Sequence, residues 1–247
     1  RGACRPQTCS GHMPCPNETM MNNKNVTDKK RVVIGLGSGR CGSVSLAHLL
    51  DAQPGATVSH ESKPMLPWRR SDADFSRKWQ ELLARRGKLA GDVCHSWLPY
   101  VPDLIRVCPD VRIVCLQRDC GRIVDSFELK VARKRKNHWM EHDGRTWARD
   151  PEYDPTFPKY PVADMREALA LYCRDYYAGV DEVIQKYPDN VRKWTTQEAL
   201  NTAEGMTAIL DFVGVPSQDQ VAELGGIHNQ SRHGGGKRSM TLKRISE

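Results

Sequence analysis

An apolar run, a glycine-rich turn and a helix-like run follow one another in RVVIGLGSGRCGSVSLAHLL, residues 31–50. Gly35, Gly37, Gly39 and Gly42 fall within this one turn region. The apolar run Arg31–Leu36 predicts a strand buried on both faces. Ser43–Leu50 predicts a helix with Val44, Leu46, Ala47, Leu49 and Leu50 available for its buried side. A glycine turn from strand into helix offers unpaired backbone N–H groups and the positive end of a helix dipole to an anion, commonly a phosphate. That requirement restricts the chain to an α/β fold with its ligand at the carboxyl edge of the strands.

The rest of the chain repeats the alternation. Ala56–His60 is a short second strand after the Pro54-Gly55 turn. Ser71 and Asp74 form a capping box for a helix with Phe75, Trp79, Leu82, Leu83 and Arg86 near one face. Lys88–Cys94 is a third strand, Leu98–Cys108 a helix that Pro109-Asp110 ends, and Val111–Gln117 a fourth strand. Gly121–Lys136 is a helix with a buried stripe of Ile123, Val124, Phe127 and Val131. Residues 137–161, rich in Trp, His, Asp and Pro, form a long irregular insertion of the kind that often carries function. A long amphipathic helix (Val162–Tyr187), a strand (Val191–Thr195) and a helix (Thr202–Val213) complete the series. Strands alternating with helices predict a parallel sheet covered on both faces. No apolar run approaches the roughly 18 residues of a membrane span, and residues 1–30 hold no signal-peptide core.

With 37 basic and 30 acidic residues, the net charge of +7 favours anionic partners: nucleotides, sulfated or phosphorylated substrates, nucleic acid or membrane surfaces. Of nine cysteines, Cys41, Cys94, Cys108, Cys115, Cys120 and Cys173 lie in candidate core elements and read as reduced thiols of a cytoplasmic protein. Cys4, Cys9 and Cys15, near His12, match no zinc-site spacing. Residues 1–30 read as a leader with little structure, residues 1–19 as upstream sequence, a tag or a stem. The sequons at Asn17 and Asn25 matter only in the secretory lumen, the alternative location. The domain proper spans residues 31–230, and residues 231–247 form a basic, glycine-rich tail.

Three kinds of site use such a turn. A kinase-type loop has the frame Gly37-x₄-Gly42-Ser43, but no lysine follows the last glycine to reach the outer phosphates. A dinucleotide fold is matched by Gly37-x-Gly39-x-x-Gly42, with Glu61 nineteen residues on at the place of a ribose-binding acid. The third possibility lies in Gly39-Arg40-Cys41-Gly42-Ser43-Val44-Ser45, which resembles the 5′-phosphosulfate loop of sulfotransferases that use 3′-phosphoadenosine 5′-phosphosulfate (PAPS). Arg40 takes the basic position, Gly42 the glycine and Ser43 the first hydroxyl position. Val44 departs from the second hydroxyl position, for which Ser45 is the nearest substitute. Arg118-Asp119-Cys120-Gly121-Arg122-Ile-Val-Asp-Ser126 resembles the same family's 3′-phosphate segment, with Cys120 in place of the usual proline at a cost in loop rigidity. An arginine at a strand end and a serine two turns into the next helix can grip one phosphate by charge-assisted bonds. Weaker likeness continues through Tyr172-Cys-Arg-Asp-Tyr176-Tyr177, Lys186-Tyr187-Pro188, Glu198-Ala-Leu200 and Phe212-Val-Gly214-Val-Pro216.

The resemblance implies a P-loop-like, three-layer α/β/α sandwich around a parallel sheet. It also implies a PAPS donor, no metal, and a hydroxyl or amine acceptor on a small molecule, a glycan or a protein tyrosine. Arg40 is the candidate stabiliser of the leaving phosphate, because an arginine set against a helix dipole inside a glycine turn points to an anion there. Glu61 is the candidate base, with His60 its competitor. Strand alternation predicts that only one of the two points into the site. His95 is a third option, equally readable as an ordinary buried histidine. Lys63 reads as a loop lysine, and the run Lys130 to Lys136 as a solvated helix end or a steering patch. Lys237 and Arg238 belong either to a closing loop or to an unstructured terminus. Trp139, Trp147, Tyr153 and Phe157 either wall the acceptor pocket or pack a lid. An NAD(P)-dependent oxidoreductase remains the enzymatic alternative, and a non-catalytic binder of nucleotides or nucleic acid the other; no RNA-binding motif supports the last.

Overall fold

The computed structural model describes residues 30–220. The expected leader before Lys30, with Cys4, Cys9, Cys15, His12 and both sequons, lies outside the described residues, as does the tail with Lys237 and Arg238. Five strands, β1 (Arg31–Leu36), β2 (Ala56–His60), β3 (Leu89–Val93), β4 (Arg112–Gln117) and β5 (Val191–Thr195), form one all-parallel sheet in the order β2-β3-β1-β4-β5. Seven helices join or follow them: α1 (Ser43–Asp51), α2 (Asp72–Ala84), α3 (Val101–Val107), α4 (Cys120–Lys134), α5 (Met165–Lys186), α6 (Thr196–Asn201) and α7 (Ala203–Phe212).

Apolar periodicity sets the layers. Every residue of β3, and all of β1 after Arg31, is buried, which requires cover on both faces. The outer strands β2 and β5 are only partly buried. The chain winds from β1 outward to β2 and β3 on one side, then returns to place β4 and β5 on the other. This puts a topological switch point between β1 and β4, where doubly wound sheets bind ligands. The glycine turn after β1 and the Arg118 turn after β4 therefore meet at one crevice. Side-chain caps open the helices that flank it: Asp119 accepts from the Arg122 N–H, Asp164 from Glu167 and Thr195 from Glu198.

Several expectations need correction. The helix expected over Leu98–Cys108 is a 3₁₀ segment, His95–Tyr100, followed by the shorter α3. Pro102 has no N–H to donate to Leu98, so a regular helix begins only there. Ser71 caps α2 as expected, accepting from the Asp74 N–H, but the buried face of α2 is Phe75, Lys78 and Leu82, while Leu83 is exposed. Lys78 is drawn inside because its ammonium donates to the Ser62 carbonyl (2.6 Å) and hydroxyl (2.7 Å). Helix α6 has no counterpart in the sequence reading.

The largest correction concerns cysteine. Cys120 and Cys173 form a disulfide across α4 and α5, with Cα atoms 5.9 Å apart. Two of the six core cysteines are therefore oxidised, while Cys41, Cys94, Cys108 and Cys115 stay outside any disulfide. Cys120 does not loosen the turn where the motif expects proline, because it ties the first turn of α4 to the middle of α5. The bridge closes a loop with a sequence separation of 53, for which chain entropy gives a stabilisation of about 2–4 kcal/mol. Cys173→Ala should lower the unfolding free energy in urea by that amount. Dithiothreitol should bring the parent protein to the variant's midpoint and leave the variant unchanged; identical parent midpoints with and without reductant would remove the bridge from the stability account.

Candidate active site

The glycine turn makes two left-handed excursions, Gly39–Arg40 and Gly42. Gly39 has φ 86°, Arg40 φ 57° and Gly42 φ 92°. At Gly42 a Cβ would stand 2.9 Å from the Thr196 methyl and 3.0 Å from Leu200, so glycine is required for both space and conformation. Arg40 takes the left-handed conformation without that freedom, a strain of order 1–3 kcal/mol that its surroundings must hold. Arg118 helps to hold it, donating from Nη1 to the Arg40 carbonyl at 2.9 Å. Thr196 grips the next carbonyl, that of Cys41, at 2.6 Å. No side chain caps the first turn of α1, and it contains no acidic residue.

Arg40 reaches Ser126 on α4, its Nε donating to the hydroxyl at 2.9 Å. Arg40, Arg118 and Ser126 are thus brought together at the switch point. Burial, then repulsion from Arg118, draws the Arg40 guanidinium below its ordinary value, while Glu61 opposes the shift. Two cations held this close are suited to share an anion. Lys130, one turn beyond Ser126 on α4, is likewise drawn down by burial and then by the charge of Arg40, and raised by Glu61.

On the opposite wall, His60 closes β2 and Glu61 follows it. Strand alternation does not separate them, contrary to expectation. Glu61 has left the strand with φ 48°, and its Oε1 lies 3.9 Å from His60 Nε2. The same nitrogen lies 2.9 Å from the Ser43 hydroxyl. Burial is the main influence on His60 and lowers its value, so the ring is neutral near pH 7. Glu61 Oε2 accepts the Tyr153 hydroxyl proton at 3.1 Å. Beneath this turn, buried Asp92 accepts from the Ser59 hydroxyl (2.6 Å), the Ser62 N–H (3.1 Å) and the Trp97 indole (2.9 Å).

The other predicted residues fall elsewhere. Cys41 is fully buried, and burial pushes its thiol up to about 11. Val44 is partly buried and Ser45 buried, so the second hydroxyl lies on the inward side of α1. Lys63 pairs with Glu152. Trp139 and Phe157 are core residues, packed with Phe127 and Tyr172, whereas Trp147 and Tyr153 are only partly buried. His95 is buried, stacked on Phe157 and bound to Thr156, as an ordinary buried histidine would be. A cavity of ≈ 320 Å³ on the insertion, lined by Met140, Glu141, His142, Arg149, Asp154 and Lys159, includes none of the predicted site residues. Among the described residues no group of His, Cys, Asp and Glu is placed to hold a metal, and no helix is long and apolar enough to cross a membrane.

The support under the glycine turn went unread in the sequence. Tyr176 accepts the Gly37 N–H (3.0 Å) and donates to the His95 carbonyl (3.3 Å). Tyr172 donates to the Ser38 carbonyl (3.0 Å), and Tyr177 bonds the Ser38 hydroxyl (3.1 Å) and the Leu116 carbonyl (3.1 Å). Three tyrosines within six residues of one helix were the available signal.

This architecture is the P-loop-like α/β fold of sulfotransferases. The structure matches that of a sulfotransferase from Alicyclobacillus acidocaldarius with a TM-score of 0.50 at 17% identity, over 76% of this chain and 82% of that one. It also matches mouse sulfotransferase SULT7A1, solved in complex with PAP, with a TM-score of 0.45 at 13% identity, over 75% of this chain and 60% of that one. No protein-family profile and no curated protein sequence matches the chain.

Burial lowers His95 from 6.5 to about 4. The folded protein keeps the ring neutral while the unfolded chain binds a proton, so its contribution to stability is complete above pH 6.5 and is lost as pH falls toward about 4. His60 and His138 are displaced in the same direction, also by burial first. Urea titrations should therefore show stability falling across this window, with a shallower slope in His95→Gln. An unchanged slope would mean that the ring is protonated inside the fold.

Proposed function

We propose that the protein transfers a sulfuryl group from PAPS to a hydroxyl or amine acceptor, with residues 31–230 as the transferase domain. The observation that carries this reading is the convergence of Arg118 and Ser126 on the glycine turn through Arg40. The donor set suits a bisphosphorylated nucleotide. Arg118 and Ser126 supply a cation and a hydroxyl for the 3′-phosphate, while the first turn of α1, Arg40 and Ser43 serve the 5′ end. Gly39 to Ser45 form the loop around that end, Cys41 and Val44 contributing backbone. Bound PAPS supplies the activated sulfuryl group and a phosphate leaving group.

The chain's own residues do the remaining work. In a loose transfer, positioning and charge stabilisation dominate. Arg40, fixed from both sides by Arg118 and Ser126, carries the charge that meets the leaving oxygen. Glu61 takes the proton of the acceptor, held on the opposite wall by the Asp92 network. Neutral His60 orients the Ser43 hydroxyl and is the second candidate for proton transfer. No residue assembled here requires a metal. The Cys120–Cys173 bridge favours the oxidising, secretory-pathway alternative over the cytoplasm.

A dinucleotide site would want the Glu61 carboxylate free for a ribose. Here one of its oxygens is held by Tyr153, which supports the transferase over the oxidoreductase. Calorimetry separates the two. 3′-Phosphoadenosine 5′-phosphate should bind more tightly than AMP or NAD, and Arg118→Ala should weaken it about 10- to 100-fold, the scale of a charge-assisted bond. Ser126→Ala should cost several-fold. Glu61→Gln should abolish sulfuryl transfer from radiolabelled donor and spare nucleotide binding. Equal affinity for AMP and the bisphosphate would sink the proposal, and tighter NAD binding would replace it.

A further inference from the structure

Resting on the reading of Glu61 as the base, we infer that Tyr153, carried by the insertion, is a positioning residue that holds Glu61 and leaves Oε1 as its working oxygen. The insertion between α4 and α5 meets the segment after β2 at three successive points. Glu152 pairs with Lys63 (2.9 Å), the Tyr153 hydroxyl donates to Glu61 Oε2 (3.1 Å), and the Pro155 carbonyl accepts the Trp68 N–H (2.8 Å). Tyr153 is itself held firmly. Its N–H donates to Asp150 (3.2 Å), and its carbonyl accepts from Thr156 N–H (2.9 Å) and hydroxyl (2.8 Å). Asp150 is buried and paired with Lys136 (2.8 Å), and Asp154 with His138 (2.8 Å). The phenol is thus presented to the carboxylate from a braced turn.

The two oxygens of Glu61 are thereby made unequal. Oε2 accepts from Tyr153, while Oε1 faces His60 at 3.9 Å, on the side where His60 bonds Ser43 of the donor loop. A proton leaving an acceptor bound beside that loop goes to Oε1. The hydrogen bond on Oε2 removes one axis of rotation, a gain in orientation. Other groups that act on this carboxylate are His60 on β2, Arg40 in the glycine turn, Lys130 on α4, and Cys94 and His95 after β3. None of these donates a hydrogen bond to Glu61.

The test is Tyr153→Phe, which keeps the ring and removes only the donor. Sulfuryl transfer should fall about 3- to 30-fold in kcat with the acceptor's KM within twofold, because a base that is no longer held in place fails in the transfer step and not in binding. The affinity for 3′-phosphoadenosine 5′-phosphate should stay within twofold. A kcat within twofold of the parent overturns the inference, as does loss of nucleotide affinity, which would make Tyr153 a prop of the donor site. A readout independent of turnover is the titration of the Tyr153 phenol, raised by burial and then by Glu61. Labelled-tyrosine NMR of Glu61→Gln should show it titrating at lower pH than in the parent; no change would remove the contact. A fully active Glu61→Gln would instead defeat the reading of Glu61 as base, without bearing on the phenol titration.

Discussion

The hydroxyls of Tyr172, Tyr176 and Tyr177 hold up the glycine turn, and the rest of the site depends on that support. A turn open enough to receive an anion cannot satisfy its own backbone groups, and buried unpaired groups are costly. The tyrosines answer this from below: the Gly37 N–H and the Ser38 carbonyl find partners on α5. Because Tyr177 also bonds Leu116 and Tyr176 also bonds His95, the same helix ties the turn after β1 to the ends of β4 and β3. Three strand ends thus keep one fixed spacing.

The disulfide extends this constraint. Cys173 sits among the three tyrosines, and its partner Cys120 opens α4, the helix that brings Ser126 to Arg40. The helix that supports one end of the candidate donor site is thereby locked to the helix that forms the other. Arg40 and Arg118 can stand side by side only because the scaffold around them does not yield to their repulsion.

Opposite this cationic wall, the turn after β2 is built with equal care. Asp92, Ser59, Ser62, Arg85 and Lys78 form a partly buried polar network below it. The insertion closes over it from above through Glu152, Tyr153 and Pro155. Of its aromatic residues, Trp139 and Phe157 are core, and the Tyr153 hydroxyl bonds Glu61. A carboxylate braced in this way is held by Tyr153 while its charge still acts on Arg40.

Much was legible in the order of residues alone. The parallel α/β class and the glycine turn between β1 and α1 follow from short-range patterns, because strand periodicity and turn chemistry act over a few residues. Contacts between distant segments were not legible. The Cys120–Cys173 bridge joins two residues that each read as a small core hydrophobe. Lys78 is buried, though nothing local distinguishes it from a solvated lysine. His60 and Glu61 lie together because one left-handed residue ends the alternation of the strand. The sequence by itself determined which groups were available to bind an anion and move a proton. Only the tertiary structure decided which of them meet, because burial and pairing depend on what packs against each residue from elsewhere in the chain.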